Sequence, residues 1–122
     1  MAAAVCVIIT HASATAVAAK SSATPAPGQG AVAIDCRADD HRTRTLLAAI
    51  AHRETAIAVG IERGILAGLA GGCSLPLGCL AQRHRGSWRL VARLGTASGL
   101  REIRLDGPAD LLAERALAAL RS

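Results

Sequence analysis

Ile57, Ile61, Ile65 and Leu69 recur at every fourth residue and stop just short of the pair Gly71-Gly72. Residues spaced this way share one side of an α-helix. The spacing predicts an amphipathic helix from about Glu54 to Ala70, whose apolar stripe must be covered by another part of the chain. Glycine readily takes the left-handed conformation found where helices stop, so Gly71 and Gly72 are expected to end it. Beyond them the period changes. Three strand-like runs follow, "SLPLGCLA", "SWRLVARL" and "LREIRL". In the second, Trp88, Leu90, Ala92 and Leu94 alternate with Arg89, Val91 and Arg93, so one face is expected to be buried. In the third, Ile103 and Leu105 share a face opposite Glu102 and Arg104. Pro76 places the first run at a sheet edge, and the short links require antiparallel pairing. "GPADLLAERALAALRS" closes the chain as a helix, with Pro108 at its first position and a stripe of Leu111, Leu112, Leu117 and Leu120.

Upstream, "ADDHRTRTLLAAIAH" places Asp39 or Asp40 as a cap before Leu46, Leu47 and Ile50, which predicts another helix, broken near His52 and Arg53. In "PAPGQGAVAIDCR", Pro25, Pro27, Gly28 and Gly30 mark a loop, and Val32 and Ile34 a short strand. The fold class expected is α+β: a small antiparallel three-stranded sheet with helices on one face. At 122 residues the chain holds at most one ordinary domain, enough to hide roughly 60–70% of the surface its unfolded form exposes. It has no Phe, no Tyr and a single Trp, so aliphatic side chains must fill the interior.

Residues 1–24, "MAAAVCVIITHASATAVAAKSSAT", hold no acid and one base. The apolar run Val5 to Ile9 and the "ASA" and "ATA" triplets suit an exported leader, but no positive stretch precedes them. The run is too short to span a bilayer, and the absence of Arg argues against a transit peptide. The segment is read as an unmatched leader or a disordered segment. A cytoplasmic protein is expected; a working leader would instead send it to a plastid or out of the cell. The net charge of +5 suits an anionic partner. The lack of aromatic stacking platforms argues against single-stranded nucleic acid, whereas arginine forks that grip carboxylates leave an acidic small molecule open. The four cysteines, Cys6, Cys36, Cys73 and Cys79, form no C-x-x-C pair and no regular framework, so free thiols are expected.

Each candidate for chemistry competes with a plainer role. His84 follows Cys79 by five residues, but His11, His41 and His52 are scattered, and no second close pair supports a metal site. "GQGAVA" fits the loose G-x-G-x-x-A fingerprint, yet it follows prolines and opens a strand, where a dinucleotide site needs a preceding strand and a following helix. What survives is a turn whose backbone comes close to a neighbour or ligand. Asp39 and Asp40 read as caps, Glu54 as a first-turn acid, and Glu62, beside Arg63, as part of a solvated helix face. No residue is assigned a catalytic role. Cys73 follows a helix C-terminus, whose negative dipole end disfavours a thiolate. That argues against a nucleophile that turns over, and leaves a buried structural thiol or a thiol that reacts once and stays attached. Spacing alone favours the buried thiol.

"PAPGQGAVAIDCRADDHRTRTLLAAI" followed by "HRETAIAVGIERGILAGLAGGCSLPLG" resembles hydroxymethylbilane synthase, also called porphobilinogen deaminase. The family reads close to "PAxGQGA-x-x-I-E-C-R-x-D-D" and then "ERA-x-L…GGC-x-x-P-x-G". The resemblance covers Pro25 to about Ala81, and the strand-strand-strand-helix tail is compatible with the family's third domain. It implies a transferase of tetrapyrrole (porphyrin) biosynthesis that condenses four porphobilinogen units to hydroxymethylbilane and releases ammonia. It implies further that the cysteine of "GGC", here Cys73, carries a dipyrromethane cofactor through a thioether. By the same resemblance, Gln29 and Gly30 in the "GQG" loop neighbour substrate or cofactor. Ser74, Gly64 and Cys79-Leu80 depart from the family's usual Gln, Ala and small-residue–Tyr.

Residues 25–37 look like the family's return segment into its first domain, which would have no partner sheet here, and 38–122 like its cofactor-carrying C-terminal domain. Nothing in residues 1–24 resembles the family's first two domains. The chain is therefore expected to be a fragment, inactive alone, that handles porphobilinogen-derived pyrroles when those domains are supplied. Self-association through exposed apolar surface is a further expectation. The alternative is a non-enzymatic remnant or a small basic module that binds anions or nucleic acid.

Overall fold

The computed structural model describes residues 4–10, 24–70 and 74–122. In chain order the elements are β1 (Ala4–Thr10), β2 (Ala31–Arg37), α1 (His41–Ile50), α2 (Arg53–Gly68), β3 (Leu77–His84), β4 (Ser87–Thr96), β5 (Gly99–Gly107) and α3 (Ala109–Arg121). Strands β3, β4 and β5 form an antiparallel sheet in that order, and α2 and α3 pack against it and against each other. This is the α+β arrangement that the sequence predicts.

The alternation in β4 decides how the core is built. Trp88, Leu90, Ala92 and Leu94 are all buried. The register places Ala81 and Leu105 beside Leu90, and Cys79 and Ile103 beside Ala92, so cross-strand neighbours share the same buried face. Ile61 and Ile65 of α2 and Leu112, Ala116 and Leu120 of α3 close over that face. The opposite face is ionic. Arg89 grips Asp106 through two hydrogen bonds of 2.8 Å, and Glu102 accepts from both Arg93 and Arg104. The β3–β4 hairpin closes through Arg85 and Gly86, both at positive φ, as the tightest hairpin turns require.

Four sequence expectations are corrected. First, residues 1–24 are not disordered throughout, because Ala4–Thr10 is a strand. It pairs antiparallel with β2 along its whole length, from Ala4↔Arg37 to Thr10↔Ala31. The return segment therefore does have a partner strand. Second, α2 ends two residues earlier than expected, and the left-handed residue is Ala70 (φ 55). Its N–H donates to Ala67 O at 3.1 Å, one of the bonds of a Schellman stop. Gly71 and Gly72 lie outside the described residues. Third, α1 packs on β1 and β2 rather than on the three-stranded sheet. Of its apolar set only Leu47 is buried, with Leu46 62% and Ile50 54% exposed. Fourth, Pro108 is the N-cap of α3 rather than its first residue, and Leu111 of the expected stripe is exposed while Ala116 takes a core position. At the other predicted cap, Asp40 holds the start of α1 by accepting from Thr43 N at 2.9 Å.

Candidate functional site

The segment "PAPGQG" folds as a turn for a reason that can be read residue by residue. Pro27 presets φ at the second position, and Gly28 supplies φ +72 at the third, the type II pattern. Gln29 N–H donates back to Ala26 O at 3.1 Å, and Ala31 N–H to Gly28 O at 3.1 Å. The Gln29 side chain also folds inward, its Oε1 accepting from Ala26 N at 3.0 Å. The turn is thus closed on itself before it meets anything else.

Two contacts fasten it to the body of the fold. Pro25 O accepts from Cys79 N at 2.7 Å, on the outer edge of β3. Gly28 N donates to Glu62 Oε2 at 2.7 Å, while Glu62 Oε1 accepts from Ala81 N at 2.8 Å. One carboxylate on α2 therefore joins the turn to the edge strand. Glu62 is 5% exposed and is the buried charged side chain among the described residues. Burial pushes its carboxyl above the ordinary glutamate range, with the two backbone N–H groups pulling the other way. This corrects the reading of Glu62 as part of a solvated helix face. The signal was in the sequence: Ala58, Val59, Ile65 and Leu66 lie three and four residues to either side of it, so it shares their inward face.

The turn, the first half of α2 and the outer half of β3 enclose a cleft of about 480 Å³. Gln29 and Gly30 line it, as do Glu62 and Trp88. At its mouth Arg83 lies 3.5 Å from Glu54 and stands over the Trp88 ring, 5.6 Å from its centroid. His52 caps α2 there, its Nδ1 accepting from Thr55 N at 3.3 Å. Two of the three site residues named from the sequence are thus brought together with a third group, Glu62, that was missed. Cys73 lies outside the described residues. Ala70, the last described residue before it, follows the opposite end of α2 from His52.

The other cysteines differ in their capacity to react. Cys79 is fully buried in β3, and burial, with the Glu62 charge nearby, pushes its thiol far above the usual range. That makes it a core residue, as its place in the strand pattern suggests. Cys36 on β2 is half-buried and free. Compared with models of known families, residues 56–111, from α2 to the start of α3, match porphobilinogen deaminase, C-terminal domain.

Proposed function

Because residues 56–111 belong to the porphobilinogen deaminase C-terminal domain, we propose that this chain is the cofactor-carrying portion of a hydroxymethylbilane synthase acting in tetrapyrrole biosynthesis. The family match carries the reading: its span runs through α2, the "GGC" segment and all three strands of the larger sheet. In this proposal Cys73 holds dipyrromethane through a thioether, and that group supplies the pyrrole on which the product chain is extended. Gln29 and Gly30 sit beside the pyrroles.

The chemistry of the thiols supports the choice of Cys73. A thioether needs a sulfur that can reach an electrophile, and Cys79, walled into the core and held protonated, is unsuited. A tether also needs a single capture event. It therefore tolerates the disfavoured thiolate expected after a helix C-terminus. Condensation itself needs general acid–base groups and clamps for the pyrrole carboxylates. We assign those to the family's first two domains, so this chain alone turns over no porphobilinogen.

Intact-mass measurement tests the proposal directly. Co-expressed with the first two domains, the wild-type chain should carry the added mass of dipyrromethane, and Cys73→Ser should not. A wild-type chain that stays unmodified, or an adduct that survives Cys73→Ser, would sink it.

A further inference from the structure

Glu62 holds a position that the tether hypothesis does not explain. A carboxylate removed from water is costly unless its oxygens are satisfied. Here the partners are two backbone N–H groups from segments distant in sequence, Gly28 in the turn and Ala81 in the edge strand. No ion pair to Glu62 occurs among the described residues. The turn is already closed internally by Gln29, so these bonds do not shape it. They set where it sits. At one end the Pro25 carbonyl is fixed to Cys79 N–H. At the other, Gly28 rests on α2, where a Cβ added to it would lie 3.8 Å from Val59 Cγ1, and among the described residues Glu62 gives it its directional bond there.

We propose that Glu62 is a positioning residue: through the N–H groups of Gly28 and Ala81 it seats the Gln29–Gly30 turn against β3 and sets the shape of the cleft. The functional consequence rests on the reading that this turn faces the pyrroles; the structural role does not. Glu62 touches no reacting atom in this scheme. It acts through the backbone it holds.

Two backbone amides bonded to one carboxylate should report its ionisation together. The surroundings favour a clean signal. Residues 25–31 contain no titratable side chain. On β3 the Cys79 thiol stays protonated and Arg83 is engaged with Glu54 and Trp88. His84 on β3, and His52, Arg53, Glu54 and Arg63 on α2 and at its cap, are the remaining charged or titratable groups of these segments. Burial raises the Glu62 carboxyl, whereas hydrogen bonds hold those of Asp39, Asp40, Glu102 and Asp106 below their ordinary range.

The test is amide NMR of the full 122-residue chain across acidic to neutral pH. In the wild type, the Gly28 and Ala81 amide protons should shift with one shared midpoint above the ordinary glutamate range. In Glu62→Gln both titrations should vanish. The Gly28 amide should then exchange with solvent about tenfold faster or more, as expected when a hydrogen bond to a charged acceptor is lost, while Leu90 and Ala92 in β4 keep their protection. Separate midpoints for the two amides, or titrations that persist in Glu62→Gln, overturn the proposal. So does exchange that rises equally in β4, which would mark a general loss of stability. If Glu62→Gln fails to fold, the wild-type midpoints alone decide. A wild-type chain that never loads Cys73 would defeat the proposed function and leave this result standing.

Discussion

Glu62 and Cys79 are neighbours, and the Glu62 charge adds to burial in raising the cost of a Cys79 thiolate. Cys79 answers by staying neutral. Glu62 answers with two backbone donors that only partly offset its burial, so its folded-state carboxyl takes up a proton at a higher pH than the unfolded chain does. Between about pH 4.3, the ordinary glutamate value, and that raised value, the native state binds the proton that the unfolded state has released. The stabilising contribution is therefore complete below the window and is lost as pH rises through it. Denaturant unfolding of wild type and Glu62→Gln side by side should show the wild type losing stability relative to the variant over this range. A gap that stays constant with pH would contradict the linkage. At a site of simpler physics, Leu112 is fully buried between α3 and the sheet. Leu112→Ala should cost about 2–5 kcal/mol by the same measurement, the range for a buried leucine whose cavity stays partly open.

Helix α2 carries three glycines four residues apart, and the structure separates their roles. Nothing lies within 4 Å of a Cβ built on Gly60. Gly60→Ala should therefore stabilise the protein by about 0.5–1 kcal/mol, the ordinary helix-propensity difference. Gly68 is different. A methyl there would overlap the δ-methyls of Leu117 on α3, and Arg121 donates to the Gly68 carbonyl from the end of the same helix. Gly68→Ala should push the two helices apart and cost about 1–3 kcal/mol, the scale of overpacking. Thermal melts of the two variants, shifting in opposite directions, would check the pair. Sequence reasoning could not tell these glycines apart, because the difference lies in where α3 crosses. It did find α2 and the strands after it, since a four-residue stripe and the Trp88–Leu94 alternation are local patterns that the final packing keeps. It missed β1, because "AVCVIIT" has no polar alternation and shows itself as a strand only through its register with β2. It also misplaced α1, because the sheet that Leu47 packs toward was not foreseen.

At the scale of the molecule the fold has two unequal parts. Among the described residues, the larger sheet with α2 and α3 holds nearly all of the buried side chains. The pair β1–β2 is two-stranded. No residue of β2 is fully buried, and α1 above it buries only Leu47. Two-stranded sheets are marginal by themselves, and Val32, Leu46 and Ile50 expose apolar surface on this same side. Part of the positive charge lies on this side too, with Arg37 on β2 and Arg42 and Arg44 on α1. Many of the arginines are engaged within the fold, Arg89 and Arg93 with carboxylates across the sheet and Arg101, Arg115 and Arg121 with backbone carbonyls. Local opening should therefore concentrate in β2 and α1. By hydrogen exchange, amides of β2 and α1 should exchange at least about tenfold faster than those of Leu90 and Ala92, a difference of about 1.4 kcal/mol in opening free energy. In the synthase proposed above, first and second domains that dock on this side should slow exchange in β2 and α1 and leave β4 unchanged. Equal protection across both parts of the isolated chain would refute the two-part stability. A β2 that stays fast after the domains are added would place their contact elsewhere.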